Sequence, residues 1–438
     1  MSIRIVGAGL AGCEAAWQTA EHGIETELYE MKPARFSPAH KSAGFAELVC
    51  SNSLKAERVE SAAGLLKEEM RRLGSLLVPC AFACRVPAGG ALAVDRDAFS
   101  QMVTEKIRSH PLIHVHTGEV LTVPHGGINI VATGPLTSDA LAGEIFSLCG
   151  GSLSFYDAAA PIVTAESLNM DRVFSASRYG RGEDDAYLNC PMNKEEYEAF
   201  YSELVHAERA PVHGFDTADP KVYEGCMPVE IMAGRGADTI RFGPMKPVGL
   251  RDPQTGHRPW AVLQLRRENA EGTLYNLVGF QTNLKFGEQK RVFGMIPGLE
   301  HAEFARFGVM HRNTFLNSPE VLSPDFSLRN DPGLFFAGQI TGVEGYMESA
   351  ASGLMAGLNA SRRTAGEDPL VLPETTMIGA LSRYAASGGE GPFQPMGANF
   401  GILPSLDEPI RDKRERYAAL AERALKDLEK ASGDCARS

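Results

Sequence analysis

No stretch of eighteen apolar residues occurs anywhere in the chain, so nothing in it reads as a membrane-spanning helix. No CxxC pair and no Cys/His spacing of the kind that holds zinc is present, although there are eight cysteines, at positions 13, 50, 80, 84, 149, 190, 226 and 435. A charged-then-apolar leader is not expected either, because Ile3 to Val6 already reads as a strand. Scattered thiols in such a chain point to a reducing cytoplasm and to no metal site. Positive charge is short: 43 Lys and Arg face 55 Asp and Glu, a formal net charge of −12. That balance argues against loose, general binding of nucleic acid but leaves room for a local basic face. One stretch qualifies. From Arg241 to Arg291 nine basic residues stand against four acids, which reads either as a solvated charged surface or as a binding face.

What the sequence does have is glycine, 45 of 438 residues, as suits an α/β protein with many tight turns; the length predicts two domains. The opening, "SIRIVGAGLAGCEAAWQTAEHGIETELYEMKP", is the most informative stretch. Ile3 to Val6 predicts a strand, Cys13 to His22 a helix capped by Gly23, and Glu25 to Glu30 a second strand. Gly7, Gly9 and Gly12 form GxGxxG between them, with Ala8, Leu10 and Ala11 completing the loop. Gly7 permits the turn, Gly9 lets backbone approach a pyrophosphate, and Gly12 lets helix and strand pack closely. The pyrophosphate then rests on the helix N-terminus, and Glu30, ending the second strand, is placed for the ribose hydroxyls.

Two later segments choose FAD over NAD as the resident dinucleotide. "INIVATGPL" (128–136) predicts a strand ending in Ala132-Thr133-Gly134. "GLFFAGQITGVEGYMESAASGLMAG" (333–357) predicts a strand, a glycine-rich turn and a helix with a small-residue face; it contributes Gly338, Gln339, Gly345, Tyr346 and Ser349 as cofactor contacts. Flavoproteins of the glutathione-reductase type have this arrangement, with a helix N-terminus aimed at the flavin to stabilise negative charge on the reduced ring. A second GxGxxG is absent, so NAD(P)H is expected to visit rather than stay. The predicted fold is α/β. A Rossmann-like FAD domain, residues 1–150 and 306–366, is interrupted by an α+β substrate domain over 151–305. An extension, 367–438, ends in a helix whose apolar stripe (Tyr417, Leu420, Ala421, Ala424, Leu425, Leu428) is expected to dock on the body.

"FAELVCSNSLK" (45–55) puts a thiol where an apolar run ends. Ser51, Asn52 and Ser53 are good N-cap residues, and a helical pattern from Leu54 through Met70 follows, which would set Cys50 near a helix N-terminus and stabilise its thiolate. Cys226, in "YEGCMPVE", is flanked by glycine and by Glu224 and Glu230, which disfavour a thiolate if they are close in space. That division makes Cys50 the nucleophile and Cys226 the acid/base partner, and the glycine-flanked loop leaves the reverse open. The other thiols read as packing, boundary or tail residues; Cys80 and Cys84 are the two that sequence alone leaves near the flavin.

Taken together these motifs resemble one family closely: the bacterial folate- and FAD-dependent tRNA uracil-5 methyltransferases. The resemblance covers nearly the whole chain and rests on "FAELVCSNSL", "GLLKEEMRRLGSL", "CRVPAGGALAVDRDAFS", "YLNCPMNKEEYEAF", "YEGCMPVE", "RFGPMKPVGL", "GFQTNLKFGEQKRVF" and "FGVMHRNTFLNSP". It implies that 5,10-methylenetetrahydrofolate gives a one-carbon unit, that NAD(P)H reduces FAD, and that a T-loop uridine of tRNA becomes 5-methyluridine. The family's two functional cysteines map onto Cys50 and Cys226. His311 is then expected to stack on the folate pterin, and Lys246, Lys285, Lys290 and Arg291 to contact RNA phosphates. The alternatives are the same chemistry on a ribosomal RNA uridine, a flavin oxidoreductase acting on a small molecule, and a methyltransferase using S-adenosylmethionine, against which the split flavin motifs argue.

Overall fold

The computed structural model describes residues 2–150, 153–180, 186–211, 227–389 and 393–435. Its central sheet has six strands in the order Ser327–Leu328, Asp331–Phe336, Ile128–Val131, Ile3–Val6, Thr26–Glu30, Ile113–Thr117, parallel throughout except at the first pair. Inner strands of a parallel sheet are covered on both faces, and all four residues of Ile128–Val131 are buried. Two helices cover one face, Leu10–Glu21 and Tyr346–Ala365, and they touch backbone to backbone. A methyl group on Gly353 would lie 2.1 Å from the Ala11 carbonyl oxygen, and one on Gly357 2.7 Å from that of Ala15. Each helix follows the C-terminal end of a parallel strand, Ile3–Val6 and Asp331–Phe336, so both N-termini open at the same edge of the sheet.

A second six-stranded sheet is antiparallel throughout: Phe174–Ser175, Tyr187–Met192, Ala261–Arg267, Leu274–Leu277, Ile162–Thr164, Phe304–Arg306. It has its own core, with Phe200, Leu263, Leu265, Phe280 and Phe293, beneath the helices Lys194–His206 and Phe286–Phe293. The first of these starts on a reciprocal cap between Asn193 and Glu196. Strands Leu153–Ala158 and Met310–Phe315, which bracket this unit in the sequence, pair antiparallel with each other. The terminal helix, Lys413–Cys435, lays Leu420, Ala421, Ala424 and Leu428 into the main core, as its stripe predicts. Among the described residues no helix is long and apolar enough to cross a membrane, and no three His, Cys, Asp or Glu side chains are placed to hold a metal ion.

Candidate active site: a two-helix cleft with a thiol at its rim

Gly7, Gly9, Leu10, Ala11, Glu30, Gly338, Gln339, Tyr346 and Ser349 all line one cleft of about 1130 Å³, its solvent-open part included. Three other residues expected there support it instead. Ala8 is buried and donates its N–H to Glu30 Oε2 at 2.8 Å. A methyl group on Gly12 would lie 1.7 Å from the Gly7 carbonyl oxygen, and Gly7 itself has a φ of +99°. Gly345, at φ +117°, is the N-cap of the long helix. The walls suit a dinucleotide. A Cβ on Gly9 would meet no protein atom within 4 Å, so the space beside that backbone is open. Neither helix N-terminus has a side-chain cap, which leaves N–H groups and the positive dipole end for an anionic ligand. Glu30 is fixed on the cleft wall, its Oε1 accepting from Lys32 N at 2.9 Å.

Cys50 sits beside this cleft, whose lining includes Glu47 and Val49. The expected helix at Leu54 is not there. The chain runs from Cys50 into a strand, Ser53–Ala56, and the helix begins only at Ala62, where Ser61 accepts from Gly64 N. Its start is set by that cap and by Gly64, where a methyl group would lie 1.9 Å from the Arg58 carbonyl oxygen. The helix dipole therefore does not support the thiolate, and Tyr346 takes that place. Its oxygen accepts the N–H groups of Cys50 (2.8 Å) and Ser51 (3.2 Å) and lies 3.0 Å from Cys50 Sγ. With both lone pairs engaged, the phenol hydrogen is left for the sulfur. Burial, then the adjacent Cys50 charge, push the phenol pKa well above its usual value, so the donor keeps its proton. The guanidinium groups of Arg96 and Arg306 both interact electrostatically with Cys50. Sequence reading missed these two arginines; no local signal marks them, because they reach the thiol only through the fold.

Ser51 and Asn52 also act across the chain rather than as caps. Asn52 is fully buried. It donates to Val94 O (3.0 Å) and Arg267 O (2.8 Å) and accepts from Arg266 Nε (2.8 Å), while Arg266 Nη2 donates to Ser51 Oγ (2.9 Å). Arg96 forms a two-point ion pair with the buried Glu268 and donates to Leu48 O at 2.8 Å. The thiol segment is thus clamped between the parallel-sheet body and the end of strand Ala261–Arg267.

The remaining thiols differ in kind. Burial pushes Cys80 and Cys149 up to about 11, and Cys13 and Cys190 further. Cys80 and Cys84 do not line the cleft. Cys226 and the side chain of His311 lie outside the described residues; the backbone of His311 is in strand Met310–Phe315, opposite Asp157. Glu230 is turned to Asn283 N (2.7 Å) and Thr282 Oγ1 (2.9 Å). Of the expected phosphate contacts, Lys285 pairs with Glu208 at 2.5 Å, and Arg291 pairs with Glu203 and, at 2.8 Å, with Glu288. Lys290 lies over the Phe307 ring at 5.7 Å. Lys246 is exposed on a different segment, its carbonyl held by Arg178.

Fold and cleft define a class, the Rossmann-type α/β proteins in which a dinucleotide lies across a glycine turn and helix N-termini. Comparison with known proteins narrows it. The glucose inhibited division protein A family matches residues 2–368. A protein of Pelotomaculum thermopropionicum named methylenetetrahydrofolate--tRNA-(uracil-5-)-methyltransferase TrmFO is 60% identical, covering 98% of each chain. A protein of the same name from Acetivibrio thermocellus is 61% identical, covering 97% of each. The solved structure of Aquifex aeolicus GidA matches 100% of this chain and 76% of its own at a TM-score of 0.68; at 15% identity it shows the shared fold. The chain belongs to the glucose inhibited division protein A family, in the group of its TrmFO relatives.

Proposed function

We propose that this protein is a cytoplasmic enzyme that holds FAD in the two-helix cleft and transfers a one-carbon unit from 5,10-methylenetetrahydrofolate to carbon 5 of the T-loop uridine of tRNA, with NAD(P)H as reductant. The 60% identity to a TrmFO-named protein over 98% of the chain carries the reading, and a thiol hydrogen-bonded at the rim of a dinucleotide-shaped cleft supports it. Gly7, Gly9 and the first turns of the two helices would hold the pyrophosphate, Glu30 the ribose, and Gly338, Gln339, Tyr346 and Ser349 the opposite wall. When bound, the flavin supplies the reducing equivalents that turn the transferred carbon into a methyl group.

The chain's own part is to activate a poor nucleophile. Cys50, as thiolate, adds to carbon 6 of uracil; the electron pair moves to carbon 5, which then bonds to the folate-derived carbon as one of that carbon's two bonds to folate nitrogen breaks and the nitrogen keeps the electron pair. A base removes the proton from carbon 5 as the second carbon–nitrogen bond breaks and tetrahydrofolate leaves; as the carbon is reduced to a methyl group the S–C6 bond breaks and the thiolate is released. Tyr346 donates to the Cys50 sulfur before attack, and Arg96 and Arg306 favour its negative charge. Cys226 is the proposed acid/base partner, His311 the group stacked on the pterin, and Lys246, Lys285, Lys290 and Arg291 the phosphate contacts. The test uses tRNA carrying 5-fluorouridine, whose fluorine blocks the final elimination. Cys226→Ala should still form the covalent adduct and Cys50→Ala should not. The reverse pattern exchanges the two roles, and an adduct in the double variant removes both thiols from the attack.

A further inference from the structure

Three phenylalanine rings are stacked on the surface of the antiparallel unit. Phe304 and Phe307 have centroids 5.1 Å apart and planes 4° apart; Phe307 and Phe286 are 4.5 Å and 16° apart. The outer ring, Phe286, is 54% exposed. Phe304 and Phe307 are half-buried beneath it, so Phe286 is the ring that the stack presents to water. The rings are also held rigidly. The buried Gln289 donates to Leu284 O and Gly308 O, both at 2.8 Å, and accepts from Gly308 N at 2.8 Å, which ties the turn carrying Phe307 to the helix carrying Phe286. Gly308 fits there because a methyl group would lie 2.7 Å from the Ala159 carbonyl oxygen.

The surroundings carry both signs, with Lys285, Lys290 and Arg291 beside Glu203, Glu208 and Glu288. Lys290 lies over Phe307, Lys285 precedes Phe286 as the helix N-cap, and Arg291 is in the last turn of the same helix. Their partners Glu208 and Glu203 are exposed, and surface pairs of that kind exchange readily for a phosphate. Arg306, between Phe304 and Phe307 in the chain, is one of the two arginines that interact electrostatically with Cys50. A flat apolar face beside cations whose surface pairs can exchange matches an unpaired nucleobase with its phosphates. One exposed ring falls far short of the area that a stable protein dimer buries.

We propose that the Phe304–Phe307–Phe286 stack is a platform on which an unpaired base of the substrate RNA stacks on Phe286. This rests on the RNA reading of the site given above. The experiment measures binding of the full-length holoenzyme to a T-arm hairpin carrying 2-aminopurine in its loop, across a salt series. Phe286→Ala should weaken binding about tenfold and abolish the 2-aminopurine quench, with the salt slope unchanged, because stacking releases no counterions. Phe286→Trp should restore both. Lys285→Gln should flatten the slope and leave the quench. Unaltered affinity and quench in Phe286→Ala overturn the platform. If that variant binds RNA normally but loses self-association in sedimentation, the stack is a contact between two copies instead. If the wild type binds no RNA, the substrate reading itself fails, and the platform with it.

Discussion

The two six-stranded sheets build their working surfaces from different material. The parallel sheet offers backbone: a glycine turn at Gly7 and Gly9, and two uncapped helix N-termini brought together by glycines that let main chains touch. The antiparallel sheet offers side chains. Arg178 Nε donates to Gln264 Oε1 at 2.7 Å, Gln264 Nε2 to Asn189 Oδ1 at 3.0 Å, and Arg266 reaches out of the same sheet to Asn52 and Ser51. A surface made of backbone fails when bulk is added. One made of polar side chains fails when a partner is removed, because a buried group then stands unpaired.

The largest expected effect follows from the backbone half. Gly353→Ala puts a methyl group 2.1 Å from the Ala11 carbonyl oxygen in the interior of two packed helices, and neither backbone has a flexible end that can yield. Overpacking of this kind should cost roughly 3 kcal/mol or more, read as a fall in thermal midpoint of the apoprotein together with loss of flavin. Gly9→Ala is the control. Its φ of −74° and its open surroundings leave the fold intact, so the variant should melt within about 1 kcal/mol of wild type yet purify colourless. Equal loss of stability in both variants would erase the distinction between a packing glycine and a ligand-facing one.

The same contrast explains what the sequence made readable. The glycine turn, the small-residue helix and the strands around them are local patterns, so Gly7 to Gly12 and Gly338 to Ser349 could be read as parts of one cleft. The surroundings of Cys50 could not. Ser51, Asn52 and Ser53 have the chemistry of N-caps, and Leu54 to Met70 has helical periodicity. Yet Asn52 is spent on Arg266, 214 residues away, and Lys55 adopts a φ of +64° before the helix begins. Tertiary hydrogen bonds outweighed a local preference worth about 1 kcal/mol. Counting charge misled in the same way. Arg266 counts towards the basic stretch but is buried in the clamp, and Lys285 and Arg291 are paired with glutamates.

The second prediction removes a partner at the junction. Asn52→Ala deletes the acceptor of the buried Arg266 Nε and leaves Val94 O and Arg267 O without their donor. A hydrogen bond to a charged group, together with the orphaned partners, makes a loss of about 3 kcal/mol, seen as a lower denaturant midpoint. Because Asn52 is two residues from Cys50, adduct formation with 5-fluorouridine RNA should slow as well. A double-mutant cycle with Arg266→Ala should return a coupling near 2 kcal/mol. A coupling close to zero would mean that the clamp is geometry without energy, and that the antiparallel unit is held by its other contacts.

The smallest effect tests a device that both halves share, a buried carboxylate receiving donors from a distant segment. In the body, Glu69 accepts the N–H groups of Met377 (2.7 Å) and Ile378 (2.8 Å) at the start of helix Met377–Ser387; in the antiparallel unit Glu230 serves Thr282 and Asn283. Burial pushes Glu69 up to about 7 against the pull of its two donors, and raises Glu230 as well. A carboxyl whose folded pKa exceeds its unfolded value of 4.5 binds its proton more tightly in the native state. Its contribution is complete below the unfolded pKa and is lost as pH rises through the folded one. For Glu69 alone the loss from about pH 6 to about pH 7.5 is on the order of 1 kcal/mol. Glu14, which burial likewise pushes up to about 7 at the start of helix Leu77–Ala83, adds a loss of the same sign. Glu69→Gln should therefore flatten the pH dependence of the denaturant midpoint over that interval without removing it, because Glu14 still titrates. If the midpoint of the wild type rises with pH instead, both carboxylates are ionised in the native state, and the N–H donors at the helix starts outweigh burial.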